Sequence, residues 1–215
     1  MMTLYGYFRS STSYRTRIAM NLKQLDYDYI AVNLAKDEQL EAVFQSINPQ
    51  GLVPVVQVND LWLYQSPAIL EWLEEVYPEH PLLPKDAAGR MQVRALSAMI
   101  GCDIHPLNNR RVLQYLRNEL SVDEDQVMAW CHRWMSEGFD ALEKRLAQDK
   151  TRGKFCYGDS PTFADCYLIP QVSSAERFKV DLSAYPNIVA IDAHCRTLKA
   201  FADADPMVQP DAPNA

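Results

Sequence analysis

Thr3-Leu4-Tyr5-Gly6-Tyr7-Phe8-Arg9-Ser10-Ser11-Thr12-Ser13 is the stretch on which the fold turns. Residues 3–8 alternate weakly and are rich in strand formers, and the polar run after them offers several side chains that cap helices. A strand therefore passes into a helix here. Over residues 14–23 the apolar Ile18, Ala19 and Leu22 fall at helical spacing, leaving Arg15, Arg17 and Lys23 for the other face. Outward from this unit, residues 27–34 read as a second strand. Residues 40–47 read as a short helix that stops at the turn Asn48-Pro49-Gln50-Gly51. Val53-Pro54-Val55-Val56-Gln57-Val58 and Leu61-Trp62-Leu63-Tyr64, separated by Asn59-Asp60, predict a hairpin. Ser66-Pro67 then opens a helix, with Ser as the cap and Pro at the first helical position, running to about Val76.

The order β-α-β-α-β-β-α makes one α/β domain with a mixed four-stranded sheet. Tyr77-Pro78-Glu79-His80-Pro81-Leu82-Leu83-Pro84 carries too many prolines for a helix or a central strand and reads as a linker. Beyond it, residues 89–116, 123–146, 162–178 and 188–202 are helical in period with almost no strand signal. The expected organisation is an α/β domain over 1–80, a linker over 81–88 and an all-α domain over 89–215, its last residues, 206–215, a frayed terminus. Thr162-Phe163-Ala164-Asp165 is a capping box, a folding signal.

In a chain of 215 residues, 48% apolar and 23% charged residues suffice for a real core, and a net charge of −7 argues against nucleic acid or an anionic membrane as partner. An anionic substrate then needs a local basic cluster. The first residues lack a basic segment followed by an apolar one, and no apolar run is long enough to span a bilayer, so a cytoplasmic protein is expected. The five cysteines form no C-x-x-C pair, and none precedes Cys102. Neither they nor the histidines show metal-ligand spacing; Cys131-His132 and His194-Cys195 read as packing residues.

Three runs carry a resemblance: Ser10-Ser11-Thr12-Ser13-Tyr14-Arg15-Thr16-Arg17-Ile18-Ala19-Met20, Asn48-Pro49-Gln50-Gly51-Leu52-Val53-Pro54, and Gln65-Ser66-Pro67-Ala68-Ile69-Leu70-Glu71-Trp72-Leu73. Together with the domain order they resemble the soluble glutathione transferases, most closely the zeta class, over nearly the whole chain. Thr12 stands where that class usually has Cys. Gly101-Cys102-Asp103-Ile104-His105-Pro106-Leu107-Asn108-Asn109-Arg110-Arg111 is similar to a second-domain motif of the bacterial maleylpyruvate isomerases within it. The resemblance implies a thioredoxin-like first domain, a homodimer, glutathione as cofactor, and cis-trans isomerisation of a maleyl diacid, maleylacetoacetate or maleylpyruvate.

Ser10, Ser11 and Thr12 sit where unpaired N–H groups and the helix dipole favour a negative charge, so a glutathione thiolate would be stabilised there by one of these hydroxyls. Taken alone, the same turn reads as ordinary N-caps. Pro54 in a strand-like stretch suggests an edge or a cis peptide, which leaves Val53 to pair with an extended peptide. Gln65 and Ser66 at a helix start suit a carboxylate. The resemblance implies that Val53 and Pro54 hold the cysteinyl part of glutathione, that Ser66 receives its γ-glutamyl carboxylate, and that Gln50, Gln65, His105 and Asn109 complete the cofactor site. His105 and Asn109 are one helical turn apart and read as sharing a face, although a capping role for His105 is equally open. The family fold would bring Arg9, Arg111 and Arg177 together as a pocket for two carboxylates, for which the planar fork of arginine is suited; Arg110 is left a surface role. A general glutathione-conjugating enzyme, a thiol oxidoreductase and a non-catalytic scaffold are the competing readings. The oxidoreductase needs a thiol at the first helix start, where this sequence has none.

Overall fold

The computed structural model describes residues 2–213. The first compact unit runs to Leu82 and takes in the segment from Arg196 onward; the second spans Leu83–Cys195. In the first, β1 (Met2–Gly6), α1 (Ser11–Leu22), β2 (Asp28–Ala31), α2 (Ala42–Ile47), β3 (Val55–Val58), β4 (Leu61–Tyr64) and α3 (Ser66–Val76) follow one another. The sheet has the order β2-β1-β3-β4. β1 lies parallel to β2 and antiparallel to β3, and β3 to β4 is the antiparallel hairpin anticipated from Asn59-Asp60. In the second unit α4 (Ala87–Ala98), α5 (Arg110–Asn118), α6 (Glu124–Gln148), α7 (Phe163–Arg177) and α8 (Pro186–Arg196) follow, and α9 (Lys199–Ala202) belongs again to the first.

The sheet and the hairpin stand as anticipated. Three expectations need correcting. The helix expected over residues 89–116 is not continuous. After α4 the chain makes a π-helical stretch over Met99–Ile104 and a 3-10 turn over His105–Asn108 before α5 begins. Pro106 lies within that turn; it has no N–H to give to the helical ladder. Asn109 is consequently an N-cap, with extended φ −66° and ψ 142° and its side chain accepting from Arg111 N. His105 and Asn109 therefore do not share one face of a continuous helix.

The second correction concerns α1. Arg15, Arg17 and Lys23, read as its open face, are 2%, 0% and 3% exposed. A buried charge is tolerated only when paired and hydrogen-bonded. Arg15 Nη1 donates to Ser66 Oγ at 2.9 Å. Arg17 Nη2 donates to the Phe8 carbonyl and its Nε to the Ala204 carbonyl, both at 3.0 Å. Lys23 Nζ donates to the carbonyls of Tyr77 and His80 and pairs with Glu74 at 2.7 Å. A polar residue at helical spacing marks a face that avoids apolar contact, and these three satisfy that with buried acceptors instead of water.

The third concerns the C-terminal part of the chain, whose Ala204 carbonyl is one of the acceptors of Arg17. The segment expected to fray, and placed with the all-α domain, is packed on the first unit instead. Residues Pro206–Val208 form a 3-10 turn, Gln209 and Ala212 are buried, and Asp211 Oδ2 accepts from Phe8 N at 2.9 Å. Asn214 and Ala215 lie outside the described residues. Burial lowers the Arg17 pKa from its ordinary value, countered by the Tyr29, Tyr27 and Tyr14 hydroxyls and the Asp211 carboxylate.

In the second unit, Thr162 N and Thr162 Oγ1 both donate to Asp165 Oδ2, at 2.7 and 2.9 Å. The buried carboxylate also takes Cys156 N at 2.8 Å, so the capping box fixes the preceding loop as well as the helix start. No helix among the described residues is long and apolar enough to cross a membrane.

Candidate active site

Ser10 is the N-cap of α1, at φ −70° and ψ 119°, and its Oγ accepts from Ser13 N at 3.2 Å. Its oxygen also lies 3.0 Å from Thr12 Oγ1, and Thr12 Oγ1 in turn donates to the Val53 carbonyl at 3.0 Å. Each hydroxyl has one proton. The Thr12 proton goes to Val53, so the Ser10 proton must go to Thr12. Both are spent inside the protein. Ser11, the first residue of α1 and half-buried, keeps its proton: its hydroxyl has no partner among the described residues. The three hydroxyls that the sequence left equivalent are thereby distinguished.

The Thr12 bond also ties the turn to the loop that carries Val53. That loop is shaped by the buried Asn48, whose side chain donates to the Leu52 carbonyl at 2.8 Å and accepts from Gln50 N at 3.2 Å. Gly51 follows at φ +60°, a left-handed conformation that glycine adopts without a Cβ clash. The Val53-Pro54 bond is cis, and Val53 is buried just ahead of β3. The Val53 N–H has no acceptor among the described residues.

At the start of α3, Gln65 occupies φ 66° and ψ 105°. A non-glycine residue held there costs of order 1–3 kcal/mol and persists where the surroundings impose it. Its side chain donates to Gln50 Oε1 at 2.5 Å, so two residues singled out separately for the cofactor are joined. Ile69 N is bonded to the Gln65 carbonyl at 2.9 Å; ahead of it, helix geometry leaves the N–H groups of Ser66 and Ala68 without an intrahelical acceptor, and Pro67 has none. Ser66 is 3% exposed, and because its oxygen accepts from Arg15 its own proton is free to point at a ligand. Arg15 was missed from the sequence as part of this site, because a basic residue on an amphipathic helix reads first as a solvent-facing one.

Arg9 is exposed, one residue before the cap. In the second unit Arg111 is exposed at the start of α5, and Arg177 is exposed at the end of α7, donating to Ser174 Oγ at 3.0 Å and lying 4.9 Å from the Phe178 ring centre. Arg110 donates to Gln114 Oε1 at 2.8 Å on the surface of its own helix. Arg9 and Arg111 make no ion pair among the described residues, despite 28 acidic residues in the chain. A cavity of about 460 Å³ in the second unit is lined by residues such as Met99, Cys102, Leu107, Trp134 and Gly138, some of them from the Gly101–Arg111 motif, but by none of the residues named as candidates for glutathione or substrate.

All five cysteines are free and in the second unit. Burial pushes the Cys131 thiol up to about 11 and raises Cys156 and Cys195 further, and Cys166 is buried as well. Only the thiolate reacts, so these four are inert near neutral pH. At pH 8 a disulfide reagent should titrate one thiol quickly, that of the exposed Cys102, and the remaining four only after unfolding. Rapid modification of two or more in the folded protein would contradict this burial.

Residues 9–76 match the family model of the glutathione S-transferase N-terminal domain and residues 135–191 that of the C-terminal domain. The chain is 56% identical to a maleylpyruvate isomerase of a Ralstonia species, over 98% of this chain and all of that one. The chain belongs to the zeta class of glutathione transferases. Among solved structures, a holo maleylpyruvate isomerase described as a bacterial zeta-class enzyme superposes with a TM-score of 0.96 at 56% identity, covering 98% of this chain and 99% of that one. The maleylacetoacetate isomerase of Anaeromyxobacter dehalogenans, solved with dicarboxyethyl glutathione and citrate bound in its active site, superposes at 0.87 with 42% identity, covering 99% and 98%. Within this zeta-class chain, the serine turn, the Val53-Pro54 loop and the α3 start all lie in one unit, and the groups they leave uncommitted are hydrogen-bond donors. A tripeptide carrying a thiolate, a peptide bond and carboxylates fits such a donor set.

Proposed function

We propose that this chain catalyses glutathione-dependent cis-trans isomerisation of a maleyl diacid, maleylpyruvate or maleylacetoacetate, with the Ser11 hydroxyl as the donor to the cofactor sulfur. The isomerase reading is supported by the 56% identity to a maleylpyruvate isomerase over nearly the whole chain. The choice of Ser11 is supported by the proton count at the first helix start: among the described residues the hydroxyls of Ser10 and Thr12 are committed, and that of Ser11 is not. Bound glutathione supplies a thiolate that adds reversibly to the conjugated double bond, turning it into a single bond that rotates before elimination leaves the trans isomer.

The rest of the work falls to the protein. The α1 N-terminus and Ser11 hold the sulfur ionised near neutral pH. Val53 N–H, beside Pro54, pairs with the peptide backbone of the cofactor. Ser66 and the N–H groups at the start of α3 receive the γ-glutamyl carboxylate, with Arg15 beneath Ser66 adding positive charge. Gln50 and Gln65, held to one another, border that carboxylate. His105 and Asn109 are assigned to glutathione as well, through the imidazole and the amide N–H₂ that capping Arg111 leaves free.

Arg9, Arg111 and Arg177 are assigned to the substrate carboxylates and to the negative charge that develops on its carbonyl oxygen. Support comes from Arg9 and Arg111 making no ion pair among the described residues of an acidic chain. A homodimer accords with this reading, since Leu61 and Tyr64 on β4 and Met91 on α4 expose large apolar side chains. A cytoplasmic setting accords with the free thiols. The test is isomerisation of both substrates with and without glutathione, in the wild type and in Arg111→Ala. Turnover should require glutathione and fall about 10²-fold in the variant on removal of a charge-stabilising donor. Isomerisation without glutathione would overturn the proposal, and full activity in Arg111→Ala would overturn that residue's role.

A further inference from the structure

Phe8 lies between β1 and α1, in neither of their hydrogen-bond patterns, two residues before the cap of the thiolate-binding turn. Backbone groups in such a position must be satisfied from elsewhere when they are buried, and Phe8 is only 8% exposed. Its N–H donates to Asp211 Oδ2 at 2.9 Å, from a residue 203 positions away. Its carbonyl accepts from Arg17 Nη2 at 3.0 Å, and the same guanidinium donates through Nε to the Ala204 carbonyl at 3.0 Å. Both polar atoms of Phe8 are thus held by the C-terminal segment, one directly and one through a buried arginine that the segment anchors.

The apolar contacts repeat the pattern. Ala212 is buried in the same core cluster as Tyr7, Phe8 and Val53, so the segment shares the apolar core beneath the Thr12 to Val53 hydrogen bond. The segment is itself fixed. Buried Gln209 donates to the carbonyls of Asp203 and Asp205 at 2.9 and 2.8 Å, and its own carbonyl accepts from Ala212 N at 2.9 Å. From Phe8 the restraint passes to the turn through Ser10 N, bonded to the Tyr7 carbonyl at 3.0 Å, and through Ser13 Oγ, which accepts from Tyr7 N at 3.4 Å.

We infer that residues 209–212 position the glutathione-activating turn, with Asp211 as a positioning residue that acts on Ser10 and Ser11 through the backbone of Phe8. The inference rests on the glutathione-site reading above. Donor sites tolerate displacements of only about half an ångström, so losing this anchor should be felt at the sulfur before the fold gives way.

The experiment compares wild type, Asp211→Ala and Asp211→Asn in the glutathione-dependent isomerisation, with glutathione affinity measured by calorimetry and thermal unfolding recorded in parallel. Asp211→Ala should lower kcat/KM about 10-fold, raise KM for glutathione, and move the acid limb of the pH–rate profile to higher pH, because a displaced donor stabilises the thiolate less. Asp211→Asn keeps an oxygen that can accept from Phe8 N and should restore the wild-type limb. A purely structural role would lower the unfolding temperature and leave the limb and the KM in place, and that result would overturn the inference. Should Asp211→Ala fail to fold, Ala212→Gly decides, since it keeps the Asp211 bond and loosens the packing: a two- to three-fold rise in KM for glutathione supports the inference, an unchanged KM overturns it. Lack of glutathione binding by the wild type is a separate outcome that removes the site reading itself.

Discussion

Ser11→Ala is expected to lower kcat/KM by about 10²-fold, the loss typical of removing one preorganised donor to a developing or resident anion. The folded protein should be nearly unaffected, since the Ser11 hydroxyl holds nothing among the described residues. Ser10→Ala should behave differently. It removes the cap on Ser13 N and should cost about 1 kcal/mol of stability, and Thr12→Val should abolish the bond to the Val53 carbonyl. The bound thiol makes the contrast measurable. Its absorbance-monitored titration should move to higher pH in Ser11→Ala, because a hydrogen bond to the charged form favours that form. If Ser11→Ala kept wild-type turnover and titration while Ser10→Ala lost both, the donor would be Ser10, and the chain of hydroxyls would run in the opposite direction.

The second large effect is on stability. Lys23 has a fully buried side chain, pairs with Glu74 at 2.7 Å, and donates to the carbonyls of Tyr77 and His80. Glu74 in turn accepts from Leu82 N with both oxygens, at 2.9 and 3.2 Å. Lys23→Met takes the ammonium away from a buried carboxylate and from two buried carbonyls, and should cost about 3–5 kcal/mol in urea unfolding. Adding Glu74→Leu should return part of that loss, since the stranded charge is gone, but not all, because Leu82 N–H then loses its acceptor at about 1–3 kcal/mol. A loss below about 1 kcal/mol in the single variant would show that water reaches this pair.

These two networks also mark where sequence reasoning stops. The β4 strand and the extent of α3 were legible, because Asn59-Asp60 and Ser66-Pro67 carry their own turn and helix-start chemistry and need no distant partner. The cap of α3 was not: Gln65 is the N-cap, and Ser66, expected there, is the first helical residue and accepts from Arg15 instead. That the polar run after Arg9 caps a helix, and that Val53-Pro54 is a special peptide, was legible for the same reason, although which residue of the run is the cap was not. Arg15, Arg17 and Lys23 were not. Their acceptors come from Ser66, Ala204, Tyr77 and His80, and nothing in the spacing of α1 records partners that far away. The break at Pro106 was hidden by the apolar period that runs through it, although proline itself was the warning. Composition misled at the C-terminus: Pro206 to Pro213 has the look of a loose tail, yet it supplies a carboxylate and a small apolar side chain to a buried site. Which of three adjacent hydroxyls keeps its proton was beyond any sequence argument, since it depends on the carbonyl of Val53.

The first unit is discontinuous in sequence: the Ala204 and Asp211 that complete it follow the entire helical unit. Protein synthesis is vectorial, and domains made early ordinarily fold as they emerge. Here the sheet and α1 leave the ribosome with the Arg17 guanidinium lacking Ala204, and Phe8 N–H lacking Asp211, until about 120 to 130 residues beyond Leu82 have been translated. The thiolate turn is thus the last part of the first unit to be finished, although its residues are among the first to be made. A nascent chain stalled anywhere before residue 204 would carry the complete serine run and yet hold it without its anchor.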